Sequence, residues 1–159
     1  MNLTRISTLE DSLRLINNIR IEDKKEVEGV GQTVLDLPFL VLNSSHPTTF
    51  FTPEGSMAGM AGIVDQANGS GQIWMLCTPE ILKTPITFIR QAKKWLSDKE
   101  QYYQLLWNLA DTRNIEHHKL LRHLGFKALR VVPVGPEQFP YFEIVKLCVS
   151  QQQLSLPPP

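Results

Sequence analysis

Cysteine is scarce in this chain. Of 159 residues only Cys77 and Cys148 carry thiols, far apart in sequence, with no Cys-x-x-Cys pair and no histidine spaced to complete a zinc site. A disulfide framework is excluded, two buried and reduced thiols are expected, and no metal is expected. Net charge is missing as well, because sixteen Lys and Arg balance sixteen Asp and Glu. No broad field therefore draws the chain to nucleic-acid phosphates or an anionic membrane. Nowhere do about 18 apolar residues run together. The opening MNLTRISTLEDSLRL places charges where a signal peptide needs an unbroken apolar core. A soluble protein of the cytoplasm is the expectation. Aromatics make up only 8% of the chain. Trp74, Trp95 and Trp107 fall at strand or helix positions that a core would claim, so a base-stacking surface is not expected.

What is present suffices for one core. The 42% apolar content and the length fit a single domain over residues 1–150, followed by a Pro-rich tail, 151–159. Asn2 to Ser7 reads as a short strand. Thr8 with Asp11 forms a capping pair for a helix whose face is Leu9, Leu13, Ile16 and Arg20. This helix runs through the charged stretch Glu22 to Glu28 and stops near Gly29 and Gly31. Thr33 to Asn43 reads as helix, limited to short pieces by Pro38. Three strands follow, Thr48 to Thr52, Met57 to Asp65 and Gln72 to Thr78, separated by Pro-Glu-Gly and Asn-Gly-Ser-Gly turns. They predict an antiparallel meander.

Pro85 opens a helix capped by Thr84, in which Phe88, Ile89, Ala92, Trp95 and Leu96 make an i, i+3, i+4, i+7 stripe. Leu105, Trp107 and Leu109 alternate as a strand. Asn114 then opens a helix with the stripe His117, Leu120, Leu121 and Leu124, closed by Gly125. The strands Ala128 to Val134 and Tyr141 to Val149 flank a Gly135-Pro136 turn. The predicted order is βααβββαβαββ: an α/β (α+β) domain with a mixed, mostly antiparallel sheet of about seven strands and about four helices.

This order resembles the GNAT (acetyltransferase) fold. The likeness sharpens at Asn114 to Phe126, where NIEHHKLLRHLGF resembles that family's N-x-x-A-x-x-x-Y-x-x-x-G-F helix, with Asn, Gly and Phe in register. A narrower resemblance is to GNAT-type proteins of tailed phages, among them internal virion protein A of short-tailed phages. It rests on Asn114 with His117 and Leu121, on Arg20 with Asp23, Glu26 and Val27, on Trp74-Met75-Leu76, and on Asp111-Thr112-Arg113.

The GNAT resemblance implies acetyl-CoA chemistry, and the residues depart from it at two places. The family seats the coenzyme A diphosphate on a glycine-bearing loop at a helix N-terminus. Here Thr78-Pro79-Glu80-Ile81-Leu82-Lys83-Thr84-Pro85 has no glycine, and its two prolines lack N–H donors. Lys83, Thr84 and the amides of Ile86 and Thr87 are what remains to hold a phosphate, with Asn114 a further cofactor-binding candidate; the alternative is that Thr84 is simply an N-cap. The family's tyrosine acid falls on Leu121, which transfers no protons. If the chain is active, His117 and Asn108 are the catalytic candidates, His117 because imidazole titrates near neutrality. Otherwise His117 is a hydrogen-bonded core histidine. Asn108 and Asp111 end the fifth strand, where the resemblance implies a parted sheet that admits the pantetheine arm; the alternative is that they are simply loop entry. His118 and His123 read as solvated.

The tail ends in three prolines and favours an extended polyproline form. Gln151, Leu154, Leu156, Pro157, Pro158 and Pro159 are expected to bind a neighbouring subunit. The resulting expectation is a structural or assembly protein of a tailed-phage virion, at the head, portal or tail channel, built on a catalytically emptied GNAT domain. Its partners would be other virion proteins and copies of itself, with no strong nucleic-acid binding, and it would need no cofactor. The alternative is an acetyl-CoA-dependent N-acetyltransferase with an atypical coenzyme site.

Overall fold

A computed structural model describes residues 2–148; the expected partner-binding tail lies outside them. The elements in chain order are β1 (Thr4–Ile6), α1 (Leu9–Asn18), α2 (Ile21–Gly29), α3 (Leu37–Leu42), β2 (Ser45–Phe51), β3 (Met57–Asp65), β4 (Ser70–Cys77), α4 (Pro85–Lys99), β5 (Leu105–Asp111), α5 (Ile115–His123), β6 (Lys127–Val134) and β7 (Phe139–Leu147). The strands form one sheet in the order β1-β2-β3-β4-β5-β7-β6. Every adjacent pair is antiparallel except β4 and β5, which are parallel and joined through α4. No helix among the described residues is long and apolar enough to cross a membrane.

Alternation along the strands divides the core between two faces. Ala61, Ile63, Ile73 and Leu106 pack with Phe88, Ala92, Trp95 and Leu96 of α4 and Leu120 and Leu121 of α5. Their neighbours Met60 and Trp74 pack on the opposite face with Leu15 of α1 and Leu37 and Val41 of α3. Complete burial of a side chain such as Leu15 contributes about 2 kcal/mol. The indole N–H groups are not stranded: Trp74 donates to Ser44 Oγ at 2.8 Å and Trp95 to Thr48 Oγ1 at 2.9 Å.

The meander, the α4 stripe and both closing strands lie where the sequence places them, within a few residues. Helix α5 stops for a local reason. Gly125 adopts φ +88°, its N–H donates to Arg122 O, and Phe126 N–H reaches back to Leu121 O at 3.0 Å. This is a Schellman stop, and the side chains of Phe126 and Leu121 are buried in the same core.

Four expectations change. The first predicted helix is two helices, because Ile19 and Arg20 are extended (ψ 142° and 139°). There the Arg20 N–H leaves the helix to donate to Cys77 O at 2.9 Å. The predicted face of α1 is also misphased: the capping box of Thr8 and Asp11 forms, but Leu9 and Leu13 are exposed while Ser12 and Leu15 are buried. On β5 the buried residues are Leu106, Ala110 and Asp111, and Trp107 stands half-buried with its N–H on Gln66. Thr84 occupies the N-cap position of α4 but its side chain makes no capping bond.

Candidate functional site

β4 and β5 start together and then separate. Their pairing runs from Ser70↔Leu105 to Gln72↔Trp107 and stops. Beyond it β4 retains the edge that β5 has left, and edge N–H and C=O groups must find other partners. Cys77 finds them in α2: its N–H donates to Asp23 Oδ2 at 2.8 Å and its carbonyl accepts from Arg20 N–H. At the other end, Asn108 Nδ2 donates to Ile73 O at 2.5 Å, and Gln72 Nε2 donates to Asn108 Oδ1 at 3.2 Å. Alternation places the backbone of Met75 on the same edge between these two bridges. The broken helix is what permits this, because the extended step at Ile19-Arg20 turns the first residues of α2 onto the end of β4.

Behind this edge lies a buried polar network. Arg20 Nη1 donates to Asp23 Oδ1 at 3.1 Å, both side chains about 5% exposed or less. Asn114, 1% exposed, donates from Nδ2 to Asp23 Oδ1 at 2.8 Å and to Glu26 Oε2 at 2.7 Å. His117 Nδ1 lies 3.0 Å from Glu26 Oε1. Tyr141 Oη donates to the Glu26 carbonyl at 2.7 Å, tying α2 to β7. Burial pushes the Asp23 carboxyl up despite His117 and Arg20. Burial would push His117 down, but the Glu26 carboxylate more than offsets it and the imidazole is raised. Glu26 and His117 also line an open cleft of about 370 Å³ with Val27, Trp74, Met75 and Asn108.

The turn before α4 is tightly self-satisfied. Thr78 N–H donates to Ala58 O, Thr78 Oγ1 accepts from Glu80 N–H, Ile81 N–H donates to Thr78 O, and Lys83 N–H donates to Glu80 O. Lys83 Nζ sits on Glu80 at 2.9 Å. With Pro79 and Pro85 lacking N–H groups, few donors are left for an anion. The uncapped first turn of α4 offers the amides of Ile86 and Thr87, and Ile86 is strongly exposed.

No protein-family profile and no curated protein matches the sequence. Solved structures do match. A spermidine N-acetyltransferase from Vibrio cholerae in complex with CoA and spermine superposes with a TM-score of 0.64 at 12% identity, covering 91% of this chain and 94% of that one. A ribosomal-protein-alanine N-acetyltransferase from Brucella melitensis gives 0.67 at 14%, covering 92% and 99%. An acetyltransferase of the GNAT family from Streptococcus pneumoniae gives 0.62 at 15%, covering 92% and 99%. This chain has the GNAT fold.

In the GNAT frame the cofactor-binding candidates do not converge. Lys83, Thr84, Ile86 and Thr87 surround the start of α4. Asn114 belongs instead to the network of Asp23 and Glu26, and its side chain caps nothing on α5. At the α4 turn the amides of Ile81 and Lys83 are spent within the turn, and those of Ile86 and Thr87 are what is left for a diphosphate. Of the catalytic candidates, Asn108 bridges the parted strands and His117 faces the cleft on a carboxylate. Leu121 is buried in the core. Asp111 is not mere loop entry: it is 1% exposed and holds Arg113 through both its oxygens. His118 is not solvated, for it packs edge-on against Phe142 with Nε2 buried. His123 is exposed, and Cys77 and Cys148 are free and buried. Asp23 and Glu26 enter the sequence analysis only through a resemblance. Arg20 three residues before Asp23 and the 3-residue spacing of Asp23 and Glu26 are the local signals for them, since their partners on and beside α5 arrive from 88 to 91 residues away.

Proposed function

We propose that this chain is a GNAT-fold module that has given up acetyl-CoA chemistry and works as a structural or assembly component, holding partners by its surface. The observation that carries this reading is the β4 edge bonded at Cys77 and at Ile73, on either side of Met75. Asp23 and Arg20 take both backbone groups of Cys77, and Asn108 takes the carbonyl of Ile73. An extended ligand lying between the parted strands would need those groups free. The self-bonded α4 turn and the apolar Leu121 support the same reading. The particle we assign it to is a tailed-phage virion, with assembly in the host cytoplasm and copies of itself or other virion proteins as partners. That assignment rests on the resemblance around Asn114, His117 and Leu121.

A second reading is favoured by a specific feature, and the solved acetyltransferases of the same fold lean toward it: an N-acetyltransferase in which His117, oriented by Glu26, handles the proton that the family's tyrosine would. Glu26 would fix the imidazole through Nδ1, leaving Nε2 for a reacting group in the cleft. Calorimetric titration with acetyl-CoA separates the two. The structural reading expects no binding at millimolar ligand, and micromolar affinity would overturn it. Mass spectrometry of purified virions then tests the placement, which fails if the chain is absent from particles and from assembly intermediates.

A further inference from the structure

Asp23 and Glu26 meet His117 and Arg20 in one cluster between α2 and α5. Beside them the Oδ1 of Asn114, a residue 1% exposed, has no partner. A buried oxygen without a donor is the mark of an ion or water that belongs there. A metal cation would give that oxygen something to bind and would sit among the two carboxylates and the imidazole.

We propose that Asp23, Glu26, His117 and Asn114 form a site for one divalent first-row cation of the zinc or manganese class. The ligand atoms of Asp23, Glu26 and His117 already lie within 4.8 Å of one another. Ligands bound about 2.1 Å from a tetrahedral ion stand about 3.4 Å apart, so only a small contraction is needed. Two carboxylates, an imidazole nitrogen and a carboxamide oxygen suit zinc or manganese rather than the oxygen cages of calcium or the thiolates of copper(I). The outer contacts are in place: Arg20 and the Cys77 amide hold Asp23. His117 and Glu26 are each 12% exposed at the cleft, which gives the ion a way in. The site fits the structural reading; an ion held by His117 Nδ1 and Glu26 would displace the bond that the acetyltransferase reading gives them.

The test is titration of Zn²⁺ and, separately, Mn²⁺ into the chelator-treated full chain, read by calorimetry and thermal denaturation. One ion per chain at micromolar affinity or tighter, with a raised Tm, is expected. Glu26→Gln and His117→Ala should each weaken binding at least tenfold. Asn114→Asp should lower the Tm of the metal-free protein, by adding a third buried carboxylate, and enlarge the Tm gain on adding metal. Should the ligand variants not fold, nitrogen NMR of the wild-type His117 ring gives the answer, with a shift at Nδ1 that saturates at one equivalent. No binding at millimolar metal would overturn the proposal. So would binding that survives both ligand replacements, a Tm of Asn114→Asp indifferent to metal, or an unmoved Nδ1 resonance.

Discussion

Asp11 is 1% exposed yet ionised, and its surroundings explain how. Burial pushes its carboxyl up, but Arg5 through two hydrogen bonds, the Thr8 amide and the Thr49 hydroxyl more than offset this and hold it at about 2. A carboxylate lowered on folding stabilises the protein above its unfolded pKa and loses that contribution as pH falls through the folded value. Between pH 4 and pH 2 the wild type should therefore lose about 2 kcal/mol that Asp11→Asn lacks from the start. Urea denaturation of both across that range checks it. At the β4 end, Asp23→Ala leaves the buried Arg20 with only the exposed Glu22 at 3.6 Å and removes the partner of the Cys77 amide. A loss of about 3 kcal/mol or more is expected from equilibrium unfolding. Half of this scale was legible beforehand. The Thr8 and Asp11 capping box is a local pattern three residues apart, and it forms. The contacts of Asp23 and Glu26 with Asn114 and His117 cross some 90 residues of chain, and no spacing rule spans that distance.

Among the elements, those written in residues close together in sequence were the readable ones. The α4 stripe and the Gly125 stop were visible because periodicity and a C-terminal glycine act within a few residues. The break at Ile19-Arg20 was not, because no proline or glycine causes it; the Cys77 carbonyl on a distant strand draws the Arg20 amide out of the helix. The exposed Leu9 and Leu13 misled for a related reason, since the buried side of α1 is partly polar, with Asp11 and Ser12 facing inward. Two glycines set up a comparison. Gly125 has room around it, so Gly125→Ala should cost about 1 kcal/mol for its positive φ alone. Gly135 also has positive φ (+75°), and a Cβ there would collide with the backbone carbonyl of Gly29 at the end of α2. Gly135→Ala should cost at least twice as much and speed amide exchange in α2, whereas Gly125→Ala leaves that helix protected. Equal costs, with α2 unaffected, would contradict the packing described.

At the scale of the molecule, the sheet and its helices follow from alternation, turn residues and one long amphipathic helix. Even the parting of β4 and β5 lies at the position that the family resemblance implies. What lies on the gap edge could not be read, because Asp23 and Arg20 reach Cys77 from 54 and 57 residues away and Asn108 reaches Ile73 from 35. The missing glycines before α4 and the leucine at 121 pointed to an emptied acetyltransferase. To these is added, in the proposed reading, a β4 edge bonded at Cys77 and Ile73 to the chain's own Asp23, Arg20 and Asn108. The backbone amides of Met75 and Cys77 report on that edge most directly, by NMR during a titration with acetyl-CoA to millimolar concentration. We predict that neither resonance moves and that the Cys77 amide stays protected from exchange. Saturable shifts at both, with the Cys77 bond to Asp23 released, would show that the gap still accepts the cofactor and would contradict the account.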